Sequence, residues 1–177
     1  MNKEIYECLQ RKIEVIKHSE KEWDKLQEQH NVFFPKDYIA FVDFYGGGAI
    51  DGFLWIYTPW GENENINFFE CAEEVIEAYK ISHDEFPDDF PFKVYPENGG
   101  LLPFGGTDNG DDFYWLKTGD NPDFWRIVVY DGRSTNYYEY EMSLTDFIVG
   151  VITGDVQCEV LPDTWQGAKS LTFMNIE

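Results

Sequence analysis

Apolar and polar residues alternate along this chain in two rhythms, one helical and one of strand type. Residues 3–17 place Ile5, Leu9, Ile13 and Ile16 at helical spacing with charges between them, which predicts an amphipathic helix. Ser19-Glu20-Lys21-Glu22 has the pattern of a capping box, so a second helix starts there and runs to about Gln29, with Trp23 and Leu26 facing inward. Asn31 and Pro35 break the chain. Pro35-Lys36-Asp37 opens a third helix that carries Tyr38, Phe41, Val42 and Tyr45 on one face, and Gly46-Gly47-Gly48 ends it. Three glycines exceed what one cap needs, which points to close backbone packing or a loop.

Strand-type patterning begins at Ile50–Thr58, an apolar run that reads as one buried strand. Pro59-Trp60-Gly61 turns the chain and Glu62–Phe68 is polar loop. A fourth helix follows from about Phe69 to Ile81, with Ala72, Val75, Ile76 and Tyr79 inward, and Ser82–Pro91 reads as an acidic loop. Phe92–Tyr95 is a short strand. Leu101–Phe104 and Phe113–Leu116 flank Asn109-Gly110, a strong hairpin signal because both turn residues tolerate positive φ. Trp125–Tyr130 is the clearest buried strand, and Thr135–Tyr140 pairs back on it across Asp131-Gly132. Ser143 caps a helix over Leu144–Ile152 that Gly154 closes, leaving Gln157–Leu161 and Leu171–Phe173 as edge strands or a loose tail. This order predicts an α+β fold. A mixed, mostly antiparallel sheet of about five to six strands would carry helices at the N-terminus, after the first strand and after the meander. With 177 residues and no repeat or long linker, residues 1–177 read as a single domain.

Charge narrows the functional classes. The net charge is −21, and residues 31–177 hold seven Lys or Arg against 27 Asp or Glu. From Asp37 to Tyr79 there are nine carboxylates and no Lys or Arg. Such a surface repels nucleic-acid phosphates and anionic lipid, so neither is an expected partner. It attracts basic proteins. No signal peptide or spanning segment is visible, and three widely spaced cysteines, Cys8, Cys71 and Cys158, fit reduced thiols in the cytoplasm.

Candidate chemistry is sparse. His18, His30 and His83 lack Asp, Glu or Cys at metal-ligand spacing, and the nucleophile elbow, P-loop and HExxH motifs are absent. Asp108-Asn109-Gly110-Asp111-Asp112 has calcium-type ligands but neither EF-hand spacing nor a terminal bidentate Glu, so turn chemistry accounts for it. No catalytic residue, cofactor or metal is assigned. The candidate partner-binding residues are Trp60, the aromatic expected to be most exposed, with Glu62, Glu64, Asp84, Glu85, Asp88, Asp89, Asp108, Asp111 and Asp112. The three aspartates of the hairpin turn are expected to be dispensable for folding.

Three motifs in order suggest a family. Phe34-Pro35-Lys36-Asp37-Tyr38 with Phe41-Val42 and Tyr45-Gly46-Gly47 resembles the opening signature of the SUKH superfamily. Leu102-Pro103-Phe104-Gly105 with Asp108-Asn109-Gly110-Asp111 is similar to its central hairpin. Val128-Val129-Tyr130-Asp131 followed by Ser143-Leu144-Thr145-Asp146-Phe147-Ile148 resembles its closing strand and helix. The likeness covers about residues 20–153, leaving the N-terminal helix and the C-terminal tail as extensions. Phe34 stands where the family commonly has Leu, and Tyr45 where it has Asn. The resemblance implies an α+β fold and a binding role without catalysis: an immunity protein that neutralises a cognate secreted toxin. Joined to the acidic charge, it makes a basic nuclease domain the expected partner. An intracellular scaffold or regulator, and a hydrolase or calcium-binding enzyme, are the alternatives. Oligomeric state is not legible.

Overall fold

A computed structural model describes residues 1–12, 15 and 17–176. In chain order the elements are α1 (Ile5–Cys8), β1 (Leu9–Arg11), α2 (Glu20–His30), α3 (Lys36–Tyr45), β2 (Gly48–Ile50), β3 (Leu54–Ile56), α4 (Phe68–Glu85), β4 (Lys93–Val94), β5 (Gly100–Thr107), β6 (Asp112–Leu116), β7 (Arg126–Tyr130), β8 (Tyr137–Tyr140), α5 (Leu144–Thr153) and β9 (Leu171–Asn175). The α+β class is as expected, but the described residues hold nine strands, in the order β1-β9-β2-β3-β5-β6-β7-β8 with β4 parallel to β5.

Most of the additional strands arise where one apolar run hides two elements or where distant segments pair. The single strand expected over Ile50–Thr58 is a hairpin. Asp51 and Gly52 both take positive φ, +46° and +69°, and the Phe53 N–H donates to the Ile50 carbonyl at 3.0 Å. Asp-Gly between apolar residues is a turn signal that the surrounding hydrophobicity masks. The helix expected over residues 3–17 is replaced by one helical turn at Ile5–Cys8 and then a strand, because Leu9–Arg11 pairs in parallel with Leu171–Phe173. Ile13 and Ile16 lie outside the described residues. The 171–173 segment is not an edge: β9 runs between β1 and β2. Its neighbour explains the glycine run, since a Cβ on Gly48 would sit 2.1 Å from the Met174 carbonyl oxygen. Gln157–Leu161 forms no strand, and instead Cys158, Val160 and Leu161 join the core.

Alternation splits the sheet into two packed faces. Leu102, Phe104, Phe113, Trp115, Ile127 and Val129 share a core with α3 and α5. Leu101, Tyr114, Leu116, Val128 and Tyr130 form a second cluster with Val75, Ile76 and Tyr79 of α4. Nearly every residue of α5 is buried, as a helix apolar all round must be. Its first turn is tied to α3, because the Thr145 N–H donates to the Asp37 carboxylate at 2.9 Å. The aromatic hydroxyls of α3 do similar work: Tyr38 donates to the Tyr57 carbonyl at 2.7 Å and Tyr45 to the Leu9 carbonyl at 2.8 Å. Ser19 closes its capping box with Glu22 as the sequence suggests.

Candidate partner-binding surface

Helix α4 lies across the sheet with one face buried and the other acidic. Asn67 caps it, accepting from the N–H groups of Phe69 and Glu70 at 3.0 and 3.3 Å. Ala72, Val75, Ile76 and Tyr79 turn inward, so helical periodicity sends Glu70, Glu73, Glu74, Glu77, Ile81, Asp84 and Glu85 outward, and all seven are exposed. Over 18 residues this face is about 27 Å long. Lys80 is its one Lys or Arg. Among the described residues no carboxylate of α4 takes part in an ion pair. Glu70, Glu73, Glu74 and Glu77 were not among the candidates read from the sequence, although their three- and four-residue spacing marks one helix face. The helix also extends beyond Ile81, so Asp84 and Glu85 sit on its last turn rather than in a loop.

The remaining acidic candidates fall at the two ends of α4. At its start, Glu64 lines a hollow of about 440 Å³ with Glu70, Glu74 and Tyr57. Beside it, Asp108 and Asp112 line a cleft of about 480 Å³ with Trp55, Tyr57, Asn63 and Asn65. Glu62 is exposed in the same connecting loop. At the far end, Asp88 and Asp89 are exposed on a segment held by its own backbone. Phe86 donates to the Ser82 carbonyl at 2.8 Å, and the N–H groups of Asp89 and Phe90 return to Phe86 at 3.1 and 3.0 Å. Phe90 then stacks on Tyr130, with centroids 5.2 Å apart and planes within 7°.

Two candidates are more sheltered than expected, one of them fully buried. Asp111 is fully buried. Its carboxylate accepts from the Thr107 hydroxyl and, at 3.0 Å, from the Gly132 N–H, so it joins the β5–β6 turn to the β7–β8 turn. Of the Asn109-Gly110 pair only Gly110 has positive φ, +84°, which makes the connection a three-residue loop that turns Asp111 inward. Trp60 is half-buried rather than the most exposed aromatic. It stacks on His18 at 3.8 Å with planes within 6°, and meets Trp23 edge-on at 5.2 Å. The Pro-Trp-Gly turn folds it back against the residues leading into α2.

Asp112 is intermediate in character. Its Oδ2 accepts from the Tyr114 hydroxyl at 3.2 Å, and Trp55 leaves it alone by donating to Asp108 at 2.7 Å. Burial, reinforced by the Asp111 charge and opposed by the Tyr114 hydrogen bond, pushes its carboxyl up to about 6. That lies above the usual Asp value of about 3.9, so the folded chain holds this proton more tightly than the unfolded chain. The resulting stabilisation is complete below about pH 4 and is lost as pH rises through about 6. Asp112→Asn keeps an acceptor for Tyr114. It is expected to exceed the parent in stability by about 1–3 kcal/mol above pH 7, with the gap closing toward pH 4. Thermal melts across that range measure it, and a gap independent of pH would contradict it.

No three His, Cys, Asp or Glu side chains among the described residues are placed to hold a metal ion. Burial pushes all three thiols up, Cys71 to about 11, which makes them poor nucleophiles at neutral pH. His30 stacks on Phe69, and His83 Nδ1 is 2.6 Å from the Phe90 carbonyl oxygen.

The sequence matches the SMI1 / KNR4 family (SUKH-1) over residues 17–150. The chain belongs to this family. No curated protein and no solved structure matches it. In this SUKH-1 chain the matched region runs from just before α2 into α5. The strands β1 and β9, which complete the sheet beside β2, lie outside it. Both ends of α4 and the β5–β6 turn lie inside it. No helix among the described residues is long and apolar enough to cross a membrane.

Proposed function

We propose that this SUKH-1 chain is an immunity protein that binds and neutralises a cognate secreted toxin in the cytoplasm, without chemistry of its own. The partner is a basic nuclease domain. The observation that carries this reading is the outer face of α4, a row of carboxylates about 27 Å long with no ion-pair partner among the described residues. Natural surfaces usually mix signs. A row with a single lysine among its carboxylates, set on a rigid helix, produces a directed field that steers a cationic partner into register. Carboxylates spaced along a helix stand in for the phosphates that a nuclease cleft otherwise holds, so the bound inhibitor occupies the substrate path. Glu62, Glu64 and Asp108 extend the row at one end, and Asp88 and Asp89 at the other. Trp60 and Asp111 take no part.

The test is association of the chain with the toxin domain encoded beside it, followed from about 0.02 to 0.5 M salt. The association rate is expected to fall by about 10–100-fold across that range, with nuclease activity titrated to zero at a fixed stoichiometry. Binding whose rate ignores salt would contradict the electrostatic mechanism. An adjacent toxin that keeps full activity in excess chain would contradict the function.

A further inference from the structure

Strand register leaves a notch in the sheet near the start of α4. Trp55 on β3 stands opposite Gly106 on β5, and Gly106 stands opposite Asp112 on β6. Residues that face each other across antiparallel strands send their side chains to the same side, so these three form one row. Its middle member has no side chain. Two strand spacings, about 9–10 Å, separate the backbones that carry the indole and the carboxylate, and a slot lies open between them. All three residues line the cleft of about 480 Å³ described above, as does Tyr57.

The groups that meet at the floor of this slot are oxygens. A Cβ on Gly106 would lie 3.1 Å from the Tyr57 hydroxyl, 3.2 Å from the Asp111 carbonyl oxygen and 3.8 Å from Asp112 Oδ1. Three acceptors thus converge on space that only glycine leaves free. Tyr57 is just 8% exposed, yet among the described residues its hydroxyl has no hydrogen-bond partner. Asp112 uses Oδ2 for the Tyr114 hydroxyl, and among the described residues its Oδ1 accepts from nothing. The opposite wall is fixed in orientation, because Trp55 Nε1–H donates to Asp108 at 2.7 Å. Sheltered acceptors left open cost free energy that an incoming donor returns.

We propose that this slot receives an arginine side chain of the basic partner. Its guanidinium lies against the Trp55 indole and donates to Asp112 Oδ1 and the Tyr57 hydroxyl. The inference rests on the functional reading above and adds which partner side chain grips the surface and where. Shape and chemistry select arginine over lysine. Guanidinium is planar, carries five donors in a fixed fork and stacks on aromatic faces, whereas the lysine ammonium is compact and strongly hydrated. Hydrogen bonds from an ionised donor to a carboxylate are also the strong ones. Charge decides the source. A second copy of this chain would bring a net −21 against −21, while a basic protein brings the opposite sign.

Blocked glycine-flanked tripeptides test the slot without the toxin. Their central residue is arginine, lysine or citrulline, the last being the uncharged isostere of arginine. They are titrated into the full chain at about pH 7.5, where Asp112 is mostly ionised. The arginine peptide is expected to bind about tenfold more tightly than either of the others and to shift the Trp55 indole N–H and Gly106 amide resonances most. Asp112→Asn is expected to weaken the arginine peptide about tenfold, bringing it level with the lysine peptide. Asp120→Asn, on an exposed loop, is the control and should leave all three affinities unchanged. Circular dichroism checks folding, and the resonance shifts of the unmodified chain decide the matter if a variant fails to fold. Free arginine carries its own carboxylate into an acidic cleft and should bind more weakly than the blocked peptide. Tighter binding of free arginine would assign the slot to a small molecule and overturn the proposal. So would equal affinity for the three peptides, an arginine preference that survives Asp112→Asn, or resonance shifts centred elsewhere. An arginine peptide that does not bind, beside a toxin still neutralised in a salt-dependent way, would remove the slot and leave the functional reading standing. A toxin untouched by a chain that still prefers the arginine peptide would remove that reading, and with it the partner as the source of the arginine.

Discussion

Replacing Asp111 with Ala is expected to lower the melting midpoint by about 6–12 °C, corresponding to about 3 kcal/mol for a chain of this size. The carboxylate is fully buried and binds the Thr107 hydroxyl on one side and the Gly132 N–H on the other. Ala removes both bonds and leaves the buried Thr107 hydroxyl, together with the Gly132 N–H, without its partner. An unmet buried donor costs about 1–3 kcal/mol. Asp108→Asn provides the contrast. It is exposed and keeps an acceptor for Trp55, so its midpoint should move by less than about 2 °C. The expectation that all three turn aspartates are dispensable for folding therefore gives way to a division among them. Thermal and chaotrope melts of the two variants measure it. Equal midpoints would show that the two turns are held by their backbones alone.

Converting Glu70, Glu73, Glu74 and Glu77 to Gln is expected to slow association with the proposed toxin partner by about 10–100-fold at low salt and to flatten its salt dependence. The dissociation rate should change far less, because exposed rim charges act chiefly on encounter. Stability should hold or rise slightly. The four side chains are exposed and outside ion pairs among the described residues, Gln has nearly the helix propensity of Glu, and like charges at three- and four-residue spacing repel. Stopped-flow mixing of parent and variant at two ionic strengths gives both rates. An unchanged association rate would place the contact surface away from α4. The same four residues altered to Lys should abolish association at low salt, which separates a charge effect from a loss of hydrogen bonds.

The reach of sequence reasoning can be traced through particular residues. Ser19, Gly46, Ser143 and Gly154 mark helix ends correctly because capping is settled within four residues of chain. The central hairpin and the meander are legible because turn residues and alternating aromatics are local as well. The Asp51-Gly52 turn was equally local, but an apolar run on both sides hid it. The four glutamates of α4 were within reach of the same periodicity that located its buried face.

What resisted reading depends on segments far apart in sequence. Leu9–Arg11 becomes a strand only because Leu171–Phe173 arrives beside it, and no property of either segment alone announces the other. Trp60 is sheltered by His18 and Trp23 from another part of the chain. Asp111 and Asp108 are the same residue type in the same turn. One is interior because Gly132 of the next hairpin meets it, and the other faces water. The sequence by itself determined the α+β class, the acidic charge, most helix ends and the family. Only the tertiary structure decided which carboxylates share a surface. Charge is a property of each residue, whereas burial is settled by whichever distant backbone the fold brings against it.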